Sequence, residues 1–167
     1  MKITIRPANP EDADAIYGMI AELSVYEHGL QQSSTTAEEI RSTLFNPESN
    51  SEALMCEIDG ITAGYAVITR SYSAWLGRRG LYMEDLYFSP NFRGLGAGKA
   101  LLQYVAQHAV NHQCNRIEWS ALDWDQSARE FYLSIDALPL NEWVRYRLDG
   151  AALEKFAAAT PQSVLGL

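Results

Sequence analysis

The sequence predicts an α/β (α+β) fold in a single domain, and three observations carry that expectation. The candidate elements run β-α-α-β-β-β-α-β-α-β-α, a helix joins the fourth and fifth strands, and 167 residues suit one domain able to bury a core. A helical crossover between two strands of one sheet requires those strands to be parallel. An Asp-Gly pair between two earlier apolar runs requires an antiparallel hairpin. The sheet is therefore expected to be mixed, within one domain covering 1–167 and without repeat, linker or low-complexity segment.

Each element has its own signal. Residues 3–6, "ITIR", alternate as a first strand does. "NPEDADAI" then opens a helix, with Asn9 as N-cap, Pro10 at the first helical position and acids Glu11 and Asp12 near the positive helix end. Ile16, Ile20 and Leu23 recur at helical spacing and should face the core. "TAEE" at 36–39 fits a capping box opening a short helix with Ile40 and Leu44 inward, which Asn46-Pro47 ends. Residues 52–72 form two apolar runs split by Asp59-Gly60, a hairpin. "LYMEDLYF" at 81–88 is the next strand, closed by Ser89-Pro90 and followed by a glycine-rich loop and a helix over about 98–112. A strand over 115–122, a helix over 126–135, a final strand over 142–148 and a C-terminal helix complete the chain. "TPQSVLGL" reads as either a loose tail or a packing strand.

Composition narrows the function classes. Apolar residues at 47% and charged residues at 20% are ordinary for a folded globular protein. A formal charge of −8 argues against a nucleic-acid partner, which needs basic stripes, and is compatible with a cationic substrate. The sequence has neither an apolar run long enough to span a bilayer nor a secretory leader, so no membrane partner and a cytoplasmic setting are expected. Cys56 and Cys114 lie far apart and read as reduced thiols. His108 and His112 stand at i, i+4, but no third ligand is near, so no metal is expected.

The chemistry-bearing stretch is "YFSPNFRGLGAGKALLQ", with glycines at 94, 96 and 98 between a strand and a helix. Such a turn aims backbone N–H groups and a positive helix end at one spot, which suits a phosphate or pyrophosphate. Spacing then discriminates. A dinucleotide fingerprint requires glycine at 99, where Lys99 stands; a P-loop requires glycine at 93 and a hydroxyl at 100, where Arg93 and Ala100 stand. R-x-x-G-x-G does fit, as Arg93, Gly96 and Gly98. In this context the motif resembles the signature of the GCN5-related N-acetyltransferase (GNAT) superfamily.

"YMEDLYFSPNFRGLGAG" is similar more narrowly to the diamine (spermidine/spermine) N1-acetyltransferases and their thialysine-acetylating relatives. "IRPANPEDADAI", "ELSVYE", "YSAWLG", "FYLSIDA" and "EWVRYRL" support the likeness over essentially the whole chain. The resemblance implies a mostly antiparallel mixed sheet splayed between strands 4 and 5, with helices on both faces. It implies acetyl-CoA (coenzyme A) as co-substrate, its pyrophosphate on Arg93, Gly94, Leu95, Gly96, Ala97, Gly98 and Lys99, and its pantetheine arm along the backbone of Leu86, Tyr87 and Phe88. It also implies a homodimer, with the C-terminal strand region as interface.

The reaction sets demands of its own. An alkylamine is protonated at neutral pH, and only its neutral form attacks a thioester. The site must bind a cation, take its proton, steady a developing oxyanion and protonate a departing thiolate. Adjacent Glu84 and Asp85 should point to opposite sheet faces unless a bulge re-aims one. By resemblance Glu84 is the substrate-facing carboxylate, as base through water or as amine anchor, with Asp85 adding to the acidic lining; two solvated acids at a strand edge are the alternative. By resemblance Tyr132 is the general acid, the alternative being an aromatic packed on the sheet. Tyr26 and Glu27 match the family's substrate-side pair. Trp75 either lines the amine channel or only anchors a loop, and Glu118, Trp119 and Ser120 could complete the channel wall.

Two departures stand out. Relatives place an Asn, which contacts coenzyme A, where Asp125 stands ahead of Ser127; Asp can cap the helix but cannot donate as an amide does. The helix also ends on Asp136 where relatives have glycine, a position Asp tolerates. The expected activity is acetyl transfer to a small cationic amine, polyamine-like or lysine-like, by direct attack in a ternary complex. The alternatives are another amine, such as a protein N-terminus, and a catalytically silent acyl-CoA-binding regulatory protein.

Overall fold

The computed structural model describes residues 1–29 and 33–159; the "TPQSVLGL" stretch falls outside the described residues. Two compact units make up the chain, Met1–Leu122 and Asp123–Leu167.

In the first unit, β1 (Ile3–Pro7) leads through a 3-10 turn (Pro10–Asp12) into α1 (Ala13–Tyr26), followed by α2 (Ala37–Leu44). Asn9 caps the turn rather than α1 itself: its side chain accepts from Glu11 N while Asp12 Oδ2 accepts from Asn9 N, a reciprocal capping box. Arg6 grips the same carboxylate with two bonds of 2.8 and 2.9 Å, tying β1 to the start of the helix. The Thr36–Glu39 capping box opens α2 as its sequence implies.

Strands β2 (Ser51–Ile58), β3 (Ile61–Ser73), β4 (Arg78–Phe88) and β5 (Ile117–Glu118) complete a five-stranded sheet in the order β1-β2-β3-β4-β5. The first four strands are antiparallel and β4 pairs β5 in parallel, as the crossover through α3 (Ala97–Asn111) demands. Asp59 and Gly60 both adopt positive φ (51° and 81°), the twist a two-residue hairpin needs. Gly64 is required by packing, because a Cβ there would stand 2.4 Å from Tyr87 O and 2.5 Å from the Phe88 ring.

Period-2 alternation splits the buried residues between two faces. Ala53, Met55, Tyr65 and Tyr87 pack with Ala13, Ile16 and Met19 of α1 and Ile40 of α2, and Ile20, Leu23 and Leu44 close the edge of that cluster. Leu54, Cys56, Ala66, Ile68 and Met83 alternate onto the other face, and α3, which packs on β1, β2 and β4, buries Leu101, Leu102 and Val105. Helices thus cover both faces. Each fully buried aliphatic side chain contributes roughly 1.5–3 kcal/mol.

In the second unit, α4 (Gln126–Ser134) is capped by Asp125, whose Oδ1 accepts from Ala128 N at 3.2 Å. It ends in a Schellman arrangement: Ala137 N donates to Tyr132 O, Asp136 N donates to Leu133 O, and Asp136 takes φ 64° in the place of a glycine. The helix α5 (Gly150–Ala158) forms as expected. The expected final strand over 142–148 does not form; the segment is irregular and exposed, Trp143, Val144 and Tyr146 included. Strand β5 is likewise two residues long instead of the eight implied by 115–122.

Candidate active site

β4 supplies the frame of the site. Its 11 residues pair along their length with β3, yet β5 pairs only with Leu81 and Tyr82, so the sheet parts beyond that point. Leu81 N donates to Arg116 O on the β5 side, whereas Ser89 N donates to Ala63 O on the β3 side. Strand alternation therefore turns the peptide groups of Leu86 and Phe88 away from β3, toward the edge that β5 leaves unpaired. Phe88 O accepts from Arg93 Nε at 2.9 Å.

After β4 a second 3-10 turn (Pro90–Phe92) leads into the glycine loop. Gly94 and Gly96 hold φ of 75° and 82°, with open space where their Cβ atoms would lie. Gly96 is the N-cap of α3, and the first intrahelical bond runs from Ala100 N to Gly96 O. The N–H groups of Ala97, Gly98 and Lys99 thus lie ahead of the ladder at the positive helix end, with exposed Lys99 beside them. This donor set and clearance fit the pyrophosphate of acetyl-CoA, and the unpaired β4 edge fits an extended amide-bearing arm.

A register shift marks the middle of β4: Ile68 opposes Met83 and Val67 opposes Asp85, leaving Glu84 as the extra residue of a β-bulge. Asp85 shares the α1 face with Tyr65, Val67 and Tyr87, and its Oδ2 accepts from the Tyr65 hydroxyl at 2.9 Å. Burial lifts the Asp85 carboxyl above its ordinary range, opposed by that hydrogen bond. Half-buried Glu27, the C-cap of α1, is raised first by burial and then by the charge of Asp85. Burial foremost, with Asp85 beside it, raises the Tyr65 phenol as well. The Glu84 side chain is exposed and makes no hydrogen bond or ion pair among the described residues.

Arg93 joins the two halves of the arrangement. Its guanidinium stands over the rings of Tyr26 and Tyr87, and the Tyr87 and Ser89 hydroxyls both donate to Glu22 Oε2, at 3.0 and 2.7 Å. Tyr26, Glu27, Asp85, Leu86, Tyr87, Phe88 and the loop 93–99 are therefore gathered around the ends of α1 and β4.

The other expected residues lie on other elements. Trp75 sits in the turn before β4, whereas the loop follows β4, and it is 96% exposed. Glu118 pairs with Arg116 at 2.9 Å, Ser120 shares a 3.0 Å hydrogen bond with the Tyr82 hydroxyl, and Trp119 is half-buried. Tyr132, Asp125 and Ser127 belong to the second unit: Asp125 and Ser127 open α4, and Tyr132 lies seven residues past Asp125 on the same helix. Burial raises the Tyr132 phenol, and the charge of Asp125 adds to it. His108 Nε2 lies 3.0 Å from Glu52 Oε1 and its ring stacks on His112; among the described residues no cluster of three or more His, Cys, Asp or Glu could hold a metal. No described helix is long and apolar enough to cross a membrane.

Sequence reasoning missed Tyr65 and Glu22. The signal for Tyr65 was a lone tyrosine inside "AGYAVI", since a buried phenol hydroxyl must find a partner. Glu22 carried none, being one acid on an outward helix turn.

Residues 19–135 match the acetyltransferase (GNAT) family. A thialysine N-epsilon-acetyltransferase of Caenorhabditis elegans is 34% identical over 151 residues, covering 89% of this chain and 92% of the relative. The enzyme of that name from Mus musculus is 31% identical over 164 residues, covering 92% and 96%. Among solved structures, an integron cassette protein from the mobile metagenome of V. cholerae superposes with a TM-score of 0.79 at 26% identity, covering 95% of this chain and 99% of that one.

Proposed function

The chain belongs to the acetyltransferase (GNAT) family, and on that premise we propose that it acetylates the primary amine of a small cationic substrate, lysine-like or polyamine-like, by direct attack with both substrates bound. The observation that carries this reading is the Asp85 carboxylate, held by the Tyr65 hydroxyl on the α1 face of β4, with the Glu27 carboxyl close by at the C-cap of α1 beside Tyr26. Two neighbouring acids, each partly desolvated, are relieved by an ammonium group. The names of the Caenorhabditis elegans and mouse relatives, which specify a lysine-like amine, support the same class.

Acetyl-CoA, when bound, supplies the acetyl thioester that the reaction consumes. The loop N–H groups and Lys99 hold its pyrophosphate, and the peptide groups of Leu86 and Phe88 hold its arm and steady the thioester oxygen. Glu27 and Asp85 hold the ammonium, with Tyr26 offering a ring face to it. Glu84, exposed at the bulge, receives the amine proton through water, freeing the nitrogen lone pair to form the N–C bond. Tyr132 gives its proton to the sulfur as the C–S bond breaks, and the second proton of the acylated nitrogen, released as the amide forms, restores the phenol; a raised phenol keeps its proton at neutral pH. Glu118, Trp119 and Ser120 form the outer wall of the amine channel, whereas Trp75, in the turn before β4, stays outside it; Asp125 and Ser127 flank the cofactor, and the working protein is a cytoplasmic homodimer without nucleic-acid or membrane partners.

Thiol release from acetyl-CoA with thialysine, lysine, spermidine and putrescine tests this reading. Turnover of at least one, weakened by Glu27→Gln and Asp85→Asn, is expected. Coenzyme A binding without amine-dependent release would instead favour a silent acyl-CoA-binding protein, and turnover only of a peptide N-terminus would move the substrate class.

A further inference from the structure

Tyr65 is fully buried in the cluster under α1 and α2, where its neighbours Ala13, Ile16, Met19, Ala53 and Met55 are apolar. Packing alone at such a position asks for a phenylalanine, since a phenol hydroxyl in an apolar core is costly unless partnered. The partner here is the Asp85 carboxylate, 2.9 Å away. On β3, Tyr65 opposes Tyr87, so it reaches Asp85 diagonally across the strand pair, two places toward the bulge. The bulge at Glu84 sets the phase that brings Asp85 onto the face of Tyr65.

We infer that Tyr65 is a positioning residue of the amine site: its buried hydroxyl holds Oδ2 of Asp85, fixing the carboxylate so that its remaining acceptor capacity serves the substrate ammonium. This rests on the reading of Asp85 as an amine anchor. A rigid, neutral aromatic side chain donating from beneath fixes orientation without adding positive charge, which a lysine or arginine would do at the expense of cation binding. The groups facing the phenol are Asp85 and Tyr87 from β4 and Glu27 from α1. The hydrogen bond opposes the rise that burial imposes on Asp85, so it also keeps that carboxyl ionised to lower pH.

Tyr65→Phe removes one oxygen and keeps the ring, and a retained melting transition reports that the core is intact. The expected result is an amine KM raised roughly tenfold, with kcat and the acetyl-CoA KM near their parent values. The acid limb of kcat/KM for the amine should move to higher pH, and the Asp85 midpoint, followed by carbon NMR in the free protein, should rise with it. Adding Tyr65→Phe to Asp85→Asn should cause little further loss, because the hydroxyl acts through the carboxylate. An unchanged amine KM and an unmoved Asp85 midpoint in Tyr65→Phe, with Asp85→Asn still raising KM, overturns this role and leaves the anchor intact. Asp85→Asn with the parent's amine KM removes the anchor, and this role falls with it.

Discussion

The guanidinium of Arg93 lies 4.8 Å from the ring centroid of Tyr26 and 5.3 Å from that of Tyr87. The first residue of the glycine-loop motif therefore sends its side chain toward the end of α1, while its Nε ties back to Phe88 O. The glycine loop and the end of α1, proposed to meet cofactor and amine respectively, share one strut. Arg93→Met keeps the aliphatic stem and removes the charge and the donors. Steady-state kinetics should then show both the amine KM and the acetyl-CoA KM raised, each roughly three- to tenfold. A rise confined to acetyl-CoA would mean the strut does not reach the amine.

The three loop glycines should separate by role. Gly94 and Gly96 are left-handed, so alanine at either strains the backbone by about 1–2 kcal/mol and should lower the melting temperature by roughly 2–8 °C. Gly98 lies inside α3, where a Cβ would meet the Phe88 ring at an ordinary 3.7 Å. Gly98→Ala should leave the melting temperature unchanged or raised, since alanine favours a helix by about 1 kcal/mol. Its acetyl-CoA affinity should nevertheless fall, because the added methyl stands at the helix end proposed to meet the pyrophosphate. Intact affinity in Gly98→Ala would remove that close approach.

Tyr132 and Asp125 make a pH prediction with a definite sign. Tyr132→Phe removes the proposed acid and should lower kcat by roughly 10²-fold with modest KM changes. Asp125→Asn retains a good helix cap but deletes the negative charge that helps hold the phenol proton. The Tyr132 pKa should fall in that variant, so the basic limb of the rate profile should move to lower pH. A limb that stays in place in Asp125→Asn means that another group sets it.

Much of this arrangement was legible before any coordinates. The capping boxes at Asn9 and Thr36, the Asp59-Gly60 turn and the parallel β4–β5 pair all follow from signals within a few residues of each other, or from topology alone. The irregular 142–148 segment was not, because alternation tells which face a strand would show and not whether a neighbour exists to pair with it. The same limit shortened β5. The Asp85–Tyr65 bond was hidden for a different reason: it depends on a bulge, which shifts the phase of β4 by one residue and leaves no local mark in "YMEDLYF".

Asp85 should carry a cost in stability that mirrors its use. Its folded-state pKa is raised, chiefly by burial, so the unfolded chain releases that proton at lower pH than the folded one. A raised carboxyl contributes stability that is fully present below the unfolded pKa and is lost as pH rises through the folded value. At neutral pH the ionised group is therefore a net burden on the fold. Asp85→Asn keeps an acceptor for the Tyr65 hydroxyl and removes the charge, so its melting temperature should exceed the parent's near pH 7 and converge with it as pH falls toward 4. Its amine KM should rise over the same range in which its stability gains. Thermal melts across pH check the first half and kinetics the second; a variant less stable than the parent at pH 7 would show that the carboxylate is already compensated within the fold, leaving it little drive to capture an ammonium.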